Sequence, residues 1–412
     1  MEPQRLAARF SLWLLRPYLD LGPADSAPLH VQSLEHGWAA AADPAMPRFL
    51  PQRAMPPGFR VQLGQEAGPP YALNDPRQLP EPLRSERWNS LCKLLDRWSE
   101  LASEQQGRLA SLLHSMCLYE LLLHLIPEAT GVTRANDGSH LMFFRASANF
   151  MNNQQKRATS YRHDDMAPFR LMALDASTTG LDRFNAIAKL FVHKAKTGAA
   201  VSELSEWGDL FERALHEAVA DMDEFGAQLH TSRFYRGIGF LPQRKGDKAE
   251  TIRLMDLAES QARNMRPSTS AQTVLYRENL HALLESRTKE ALWLGDTELA
   301  LARALEVVEV DPFDAKAWTE IGEVRWLRQE WRQASEAYAV AAMLGPPASA
   351  VGRYMAAMCL RKLDQPLLAA LLLKDTLEID PLGISTRMEI QNLPDEKALE
   401  VLKRWSEDTA GF

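Results

Sequence analysis

The sequence predicts a mostly α protein: a helical central domain followed by a C-terminal solenoid of helix pairs, behind a Pro-rich irregular N-terminal segment. Three observations carry that expectation. After residue 82, apolar residues recur mainly at three- and four-residue steps, which gathers them on one face of an α-helix. Fourteen of the 24 Pro fall in residues 1–82, and Pro lacks the amide that a helix interior needs. Pro312, Pro346 and Pro381 then stand 34 and 35 residues apart, a period that points to a repeated helix hairpin.

A chain of 412 residues is long enough for two or three domains. Hydrophobic residues at 46% and charged residues at 25% match a soluble globular protein. The net charge of −7 argues against nucleic acid as a partner, because phosphate binding calls for a basic surface. The apolar run "YELLLHLI" is broken by Glu120 and His124, so no membrane span is expected. Cys92, Cys117 and Cys359 lie far apart with no metal-ligand spacing, which fits a reducing, cytoplasmic setting. "MEPQRLAARFSLWLLRP" carries Arg5, Arg9 and Arg16 around Leu6, Phe10, Trp13 and Leu14. Residues 1–18 therefore read either as a short docking helix or as an organelle-targeting segment, the former preferred.

Taken in order, residues 1–82 form a Pro-rich cover whose Trp38, Phe49, Phe59, Val61 and Tyr71 are too apolar for a free linker. An extended course with one short hairpin is expected there. Residues 83–270 form a central, mainly helical domain, starting with Trp88, Leu91, Leu94, Leu95 and Trp98 on one stripe and followed by a helix buried all round. Two irregular loops interrupt it, at 128–172, where Gly and Asn punctuate short apolar runs, and at 231–247, around Gly237 and Gly239. Residues 271–412 form the solenoid and its terminal helix.

The central region concentrates the side chains capable of chemistry. In "YRHDDM", His163 and Asp165 have the spacing of two ligands on an iron-oxygenase strand, but the helical surroundings offer no barrel for them. A helical iron or manganese site is the better chemical alternative. Glu120 and His124 are four apart near His114, while His216, Asp223 and His230 recur every seven residues beside Glu212. Inward-pointing carboxylates and imidazoles on facing helices hold metal pairs in bundles. A third candidate is an anion site at Arg233, Arg236, Arg244 and Lys245, since guanidinium forks suit phosphate or carboxylate. No catalytic residue is assigned, and the hydrolase, zincin and kinase signatures are missing.

The repeat is explicit in "AKAWTEIGEVRWLRQEWRQASEAYAVAAMLGP", with Trp318, Ile321 and Gly322 in its first helix and Ala334, Tyr338 and Ala341 in its second. Small residues let two helices approach closely, and the aromatic side chains fill the space beside them. "ENLHALLESRTKEALWLGDTELALARALEVVEVDP" precedes it and "AVGRYMAAMCLRKLDQPLLAALLLKDTLEIDP" follows, with "DEKALEVLKRWSEDT" as a capping helix. Residues 279–405 thus resemble the tetratricopeptide (TPR) repeat family. That resemblance implies an α-solenoid whose first helices line a face holding a protein or peptide. By position it points to Glu285, Lys289 and Leu292, then Thr319, Glu323 and Trp326, then Tyr354, Met358 and Arg361. The Lys/Asn set by which some members clamp a terminal carboxylate is absent. The leading expectation is a scaffold that recruits a partner through these residues. The alternative is a metal-dependent enzyme in residues 85–270 with the repeats as a substrate dock, and docking on the chain's own N-terminal half also stays open.

Overall fold

The computed structural model describes residues 29–43, 74–79, 81, 84, 86–127, 138–156, 166–345, 348–380 and 383–393. These residues are mainly α-helical, joined by turns and short 3-10 pieces that include Pro76–Gln78 and Trp98–Glu100. Two compact units divide at Leu283 and Leu284.

The N-terminal unit contains α1 (Leu29–Ala42), α2 (Glu86–Asp96), α3 (Ser103–Ser115), α4 (Tyr119–Leu125), α5 (Gly138–Lys156), α6 (Ala167–Leu174), α7 (Gly180–Lys196), α8 (Val201–Val219), α9 (Glu224–Ile238), α10 (Phe240–Lys245) and α11 (Lys248–Asn264). The first half of α12 (Ser270–Leu294) also belongs to it. Trp38, Trp88, Leu91, Leu109, Leu113, Tyr119 and Phe144 form one apolar cluster, in which the Trp88 indole donates to the Pro76 carbonyl at 2.7 Å. A second cluster gathers Phe169, Phe184, Phe191, Leu204, Trp207, Phe211 and Phe234. A buried polar pair joins α5 to α7. His140 Nδ1 lies 3.1 Å from Asp182 Oδ1, and Thr179, the N-cap of α7, donates from its hydroxyl to Asp182 Oδ2 at 2.8 Å.

Three sequence expectations need correction. The N-terminal cover, expected extended, contains helix α1, whose Leu34 and Trp38 pack into the first cluster. The loop expected at 128–172 contains α5 and α6. Gly and Asn lower intrinsic helix propensity by only about 0.5–1 kcal/mol each, and burying the Phe144 and Ala148 stripe outweighs that. The loop expected at 231–247 is the end of α9 and the whole of α10. There Gly237 admits a ring, since a Cβ on it would stand 2.9 Å from Phe211 Cε1. His163 and Asp165 lie outside the described residues, as does the segment from 394 onward.

The C-terminal unit is a TPR-like α-solenoid. It runs from the second half of α12 through α13 (Thr297–Val310), α14 (Ala315–Leu327), α15 (Trp331–Met343), α16 (Ala348–Lys362), α17 (Pro366–Ile379) and α18 (Ile384–Gln391), with successive helices from α13 to α18 in contact. Close approach is built into the sequence. A Cβ on Gly322 would meet the Tyr338 ring at 2.6 Å, and one on Gly352 would meet the Tyr338 carbonyl oxygen at 2.7 Å. Ala334, Ala337 and Ala341 are buried beside them.

The turns inside each pair share one geometry. Gly295, Gln329 and Asp364 have φ of 86°, 61° and 57°. In each case the amide of the following residue (Asp296, Glu330, Gln365) donates back across the helix end to a carbonyl (Ala291, Arg325, Leu360) at 2.9 Å. This left-handed cap reverses the chain while satisfying carbonyls the helix leaves open. Asp296 and Asp314 then cap the helices that follow them, accepting from the Leu299 amide at 2.9 Å and the Lys316 amide at 3.0 Å. Among the described residues, no helix is long and apolar enough to cross a membrane.

Candidate functional site

In the C-terminal unit, all nine side chains expected to meet a partner retain access to water. Lys289 and Glu323 are exposed; Glu285, Leu292, Thr319, Trp326, Tyr354, Met358 and Arg361 are half-buried. They are not equivalent. On α12 and α14, four charges alternate. Lys316 Nζ lies 2.9 Å from Glu285 and 3.6 Å from Glu320, and Lys289 Nζ lies 3.4 Å from Glu320. Burial, then the Glu285 carboxylate, raises the pKa of Glu320 against the opposing pull of Lys316 and Lys289. For Lys316, burial works downward, but Glu285 and Glu320 outweigh it and the pKa rises. Trp326 packs edge-on against Trp331 with ring centroids 4.9 Å apart, both rings keeping an accessible edge. Lys316, Glu320 and Trp331 were not singled out by the repeat pattern. The spacing of Lys316 and Glu320, four apart on α14, was the signal available for them.

The far end of the face is different. Arg361 pairs with Glu389 of α18, while Tyr354 and Met358 share an apolar cluster with Ile390 and Leu393. Of the three, Arg361 is the side chain paired directly with the last described helix.

The residues proposed as metal ligands are not brought together. No three of His114, Glu120, His124, Glu212, His216, Asp223 and His230 lie close enough to share an ion. The seven-residue pattern fails because α8 ends at Val219 and Asp223 opens a new helix, its Oδ1 accepting from the Gly226 amide at 2.8 Å. Glu212, His216 and His124 are exposed. His114 bonds through Nε2 to Ser147 Oγ at 2.8 Å between the Tyr119 and Phe144 rings; burial, aided by the positive charge of Lys189, drives its pKa down to about 3.

The cations expected to bind an anion also divide. Arg244 and Lys245 are exposed at the end of α10. Arg233 instead lies over the Phe184 ring, 5.7 Å from its centroid. It donates to Asn185 Oδ1 at 3.2 Å and to His230 Nδ1 at 3.1 Å. Accepting that bond leaves His230 neutral; burial, then Arg233, lowers its pKa to about 3. Burial, then the like charge of Arg236, lowers Arg233 itself to about 10, Glu278 acting in the opposite sense. Lys189, one turn beyond Asn185 on α7, is exposed, yet burial is the leading cause of its lowered pKa, followed by repulsion from Arg233 and Lys196.

No protein-family model matches the chain, and no curated protein matches it. Similar solved structures include YrrB, a TPR protein with an unusual peptide-binding site, at 16% identity and TM-score 0.33 over 48% of this chain and 89% of that one. A human IFIT1 dimer with m7Gppp-AAAA is similar at 13% identity and TM-score 0.45, over 98% of this chain and 88% of that one. The Cut9–Hcn1 hetero-tetramer of the APC/C is similar at 12% identity and TM-score 0.26, over 74% and 88%. These likenesses concern helical arrays, and the fold assigned here stands on the helix pairs described above.

Proposed function

We propose that the chain is a helical-repeat binding or scaffold protein that recruits a protein or peptide through the face of α12 and α14. The observation supporting this reading is the accessible group formed by Lys289, Lys316, Glu323 and Trp326, with Trp331 behind the indole. Aromatic anchors flanked by charges of both signs are the composition that concentrates binding energy and fixes register. Arg361 drops out of the contact set because it pairs with Glu389 of α18, and Tyr354 and Met358 rank behind the other residues because they pack against the apolar cluster around Leu393. The ligand best suited to the remaining face is a short helix or extended segment with an apolar anchor beside acidic and basic residues. Cys92, Cys117 and Cys359 are buried and not joined in disulfides, which supports the cytoplasmic setting.

The test is a selection of displayed random peptides on the full-length chain, followed by titration of the enriched peptides. Trp326→Ala should weaken them by roughly thirtyfold, the effect of losing an anchor of about 2 kcal/mol. Lys316→Glu should change which charged peptides are selected. Enriched peptides that bind both variants as well as the wild type would refute the assignment of this face.

A further inference from the structure

Resting on the assignment of the α12–α14 face above, we propose that its ligand is a cationic segment. An arginine of the partner sits among Glu285, Asp314 and Glu320, three positions from an apolar residue that meets Trp326. The charges of this face lie in two layers. The Glu285 and Glu320 side chains are inside, 15% and 11% exposed, while those of Lys316 and Lys289 lie outside, 55% and 60% exposed. Carboxylate oxygens of Glu285 and Asp314 approach within 4.8 Å of each other. The lysines cover this acidic floor loosely. Lys316 Nζ donates to Glu285 at 2.9 Å, but it stands 3.6 Å from Glu320, and Lys289 reaches Glu320 at 3.4 Å. Both of the longer contacts exceed the range of a charge-assisted hydrogen bond. Both are made to Glu320 Oε1; Oε2 is buried and has no hydrogen-bond partner among the described residues. A buried acceptor without a donor costs stability, and a donor brought by a ligand removes that cost. The groups that must move aside are the two exposed ammonium ends, which stand on flexible four-carbon stems.

The chemistry narrows the ligand further. With exposed Glu323 one turn beyond Glu320, four carboxylates of α14 and the facing part of α12 outnumber Lys289 and Lys316, so the complement is a cation. A guanidinium suits the floor better than an ammonium, because its planar fork of five N–H donors spans neighbouring carboxylates. Helix geometry then sets the spacing of the anchor. Glu320 and Trp326 are six residues apart on α14, about 9 Å of helix rise. An extended chain covers that in about three residues. The ligand signature is therefore an Arg and an apolar residue three positions apart, the latter against the accessible edge of Trp326 that Trp331 backs.

The experiment titrates the full chain, by fluorescence anisotropy, with labelled Gly/Ser peptides that carry Arg and Trp three positions apart and have blocked ends. A twin peptide holds citrulline, the neutral isostere, in place of Arg. The Arg peptide should bind about ten- to a hundredfold more tightly than its twin, a comparison that needs no protein variant. Glu285→Gln should erase most of that difference and leave the citrulline peptide unaffected. Lys316→Met should tighten the Arg peptide several-fold, because it removes the competing cation. Equal binding of the two peptides, or a loss in Lys316→Met as large as in Glu285→Gln, would overturn the proposal. If the twins bind alike while displayed peptides still need Trp326, the cation assignment alone falls and the face remains the binding surface. An Arg preference kept at full affinity in Trp326→Ala would overturn the proposal and the face assignment together. Arg5→Glu combined with Arg9→Glu, should it tighten the Arg peptide as Lys316→Met does, would give the acidic floor to the chain's own residues 1–18 and overturn an external ligand.

Discussion

Acidification from pH 7 to pH 5 should destabilise the N-terminal unit selectively, and the size of the effect follows from two imidazoles. His114 and His230 are held near pKa 3 in the folded protein, by burial first and then by Lys189 and Arg233 respectively. In the unfolded chain each returns toward 6.5. Between those values the unfolded state binds a proton that the folded state refuses. Stability therefore rises with pH through this window, is fully present above 6.5, and is lost as pH falls toward 3. The slope is about 1.4 kcal/mol per pH unit for each ring, so the fall from pH 7 to 5 costs about 2 kcal/mol per ring and about 4 for both. His36, also lowered by burial, acts in the same direction. Glu320 in the C-terminal unit acts oppositely: its raised pKa lets the folded form take a proton first, so its contribution increases as pH falls toward 4.5. The assay is urea unfolding followed by circular dichroism at pH 7, 6 and 5, on the wild type and on His230→Gln, which keeps an acceptor for Arg233. The variant should lose about 2 kcal/mol less than the wild type over that range. A wild-type stability that is flat between pH 7 and 5, or an unchanged slope in His230→Gln, would refute the reasoning.

Further expectations concern the solenoid and the first apolar cluster. Gly322→Ala should cost about 1–3 kcal/mol by forcing the Tyr338 ring aside, and Gly352→Ala should cost more because its nearest obstacles are backbone atoms; melting temperatures of both variants check this. Gln329→Gly should stabilise the chain by about 0.5–1 kcal/mol, since it removes a left-handed Cβ clash at the α14–α15 turn, less the entropy that Gly adds to the unfolded state. An unchanged or lower urea midpoint would count against that turn geometry. Asp296→Ala should cost about 1 kcal/mol through loss of the α13 N-cap, measurable as faster amide exchange at Leu299. Trp88→Phe should cost about 1–3 kcal/mol, because the buried Pro76 carbonyl loses the indole donor; a melting temperature matching the wild type would contradict that.

The repeat pair was legible because its signals are local and steric. Gly322, Ala334, Tyr338 and Ala341 sit at spacings fixed by helix geometry, and close packing tolerates no other sizes there. Even the turns carried the period, at 295, 329 and 364, although only Gly295 announces a left-handed residue by its type. The central region was harder to read for two physical reasons. Its Asn and Gly residues report intrinsic propensity, which is weak, whereas Phe144 and Ala148 report burial, which prevails in α5. The seven-residue spacing of His216, Asp223 and His230 suggested one continuous face, but Asp223 caps the next helix instead, a choice made by one side-chain-to-amide bond. The sequence by itself therefore determined the helical class, the repeat and the positions of its first-helix side chains, all set by contacts within a few turns. Only the tertiary structure decided that Arg361 meets Glu389, that the proposed metal ligands stay apart, and that Arg233 of α9 turns to Asn185 of α7 over the Phe184 ring. Those outcomes depend on how distant helices pack, and the periodicity of a single helix carries no information about its neighbours.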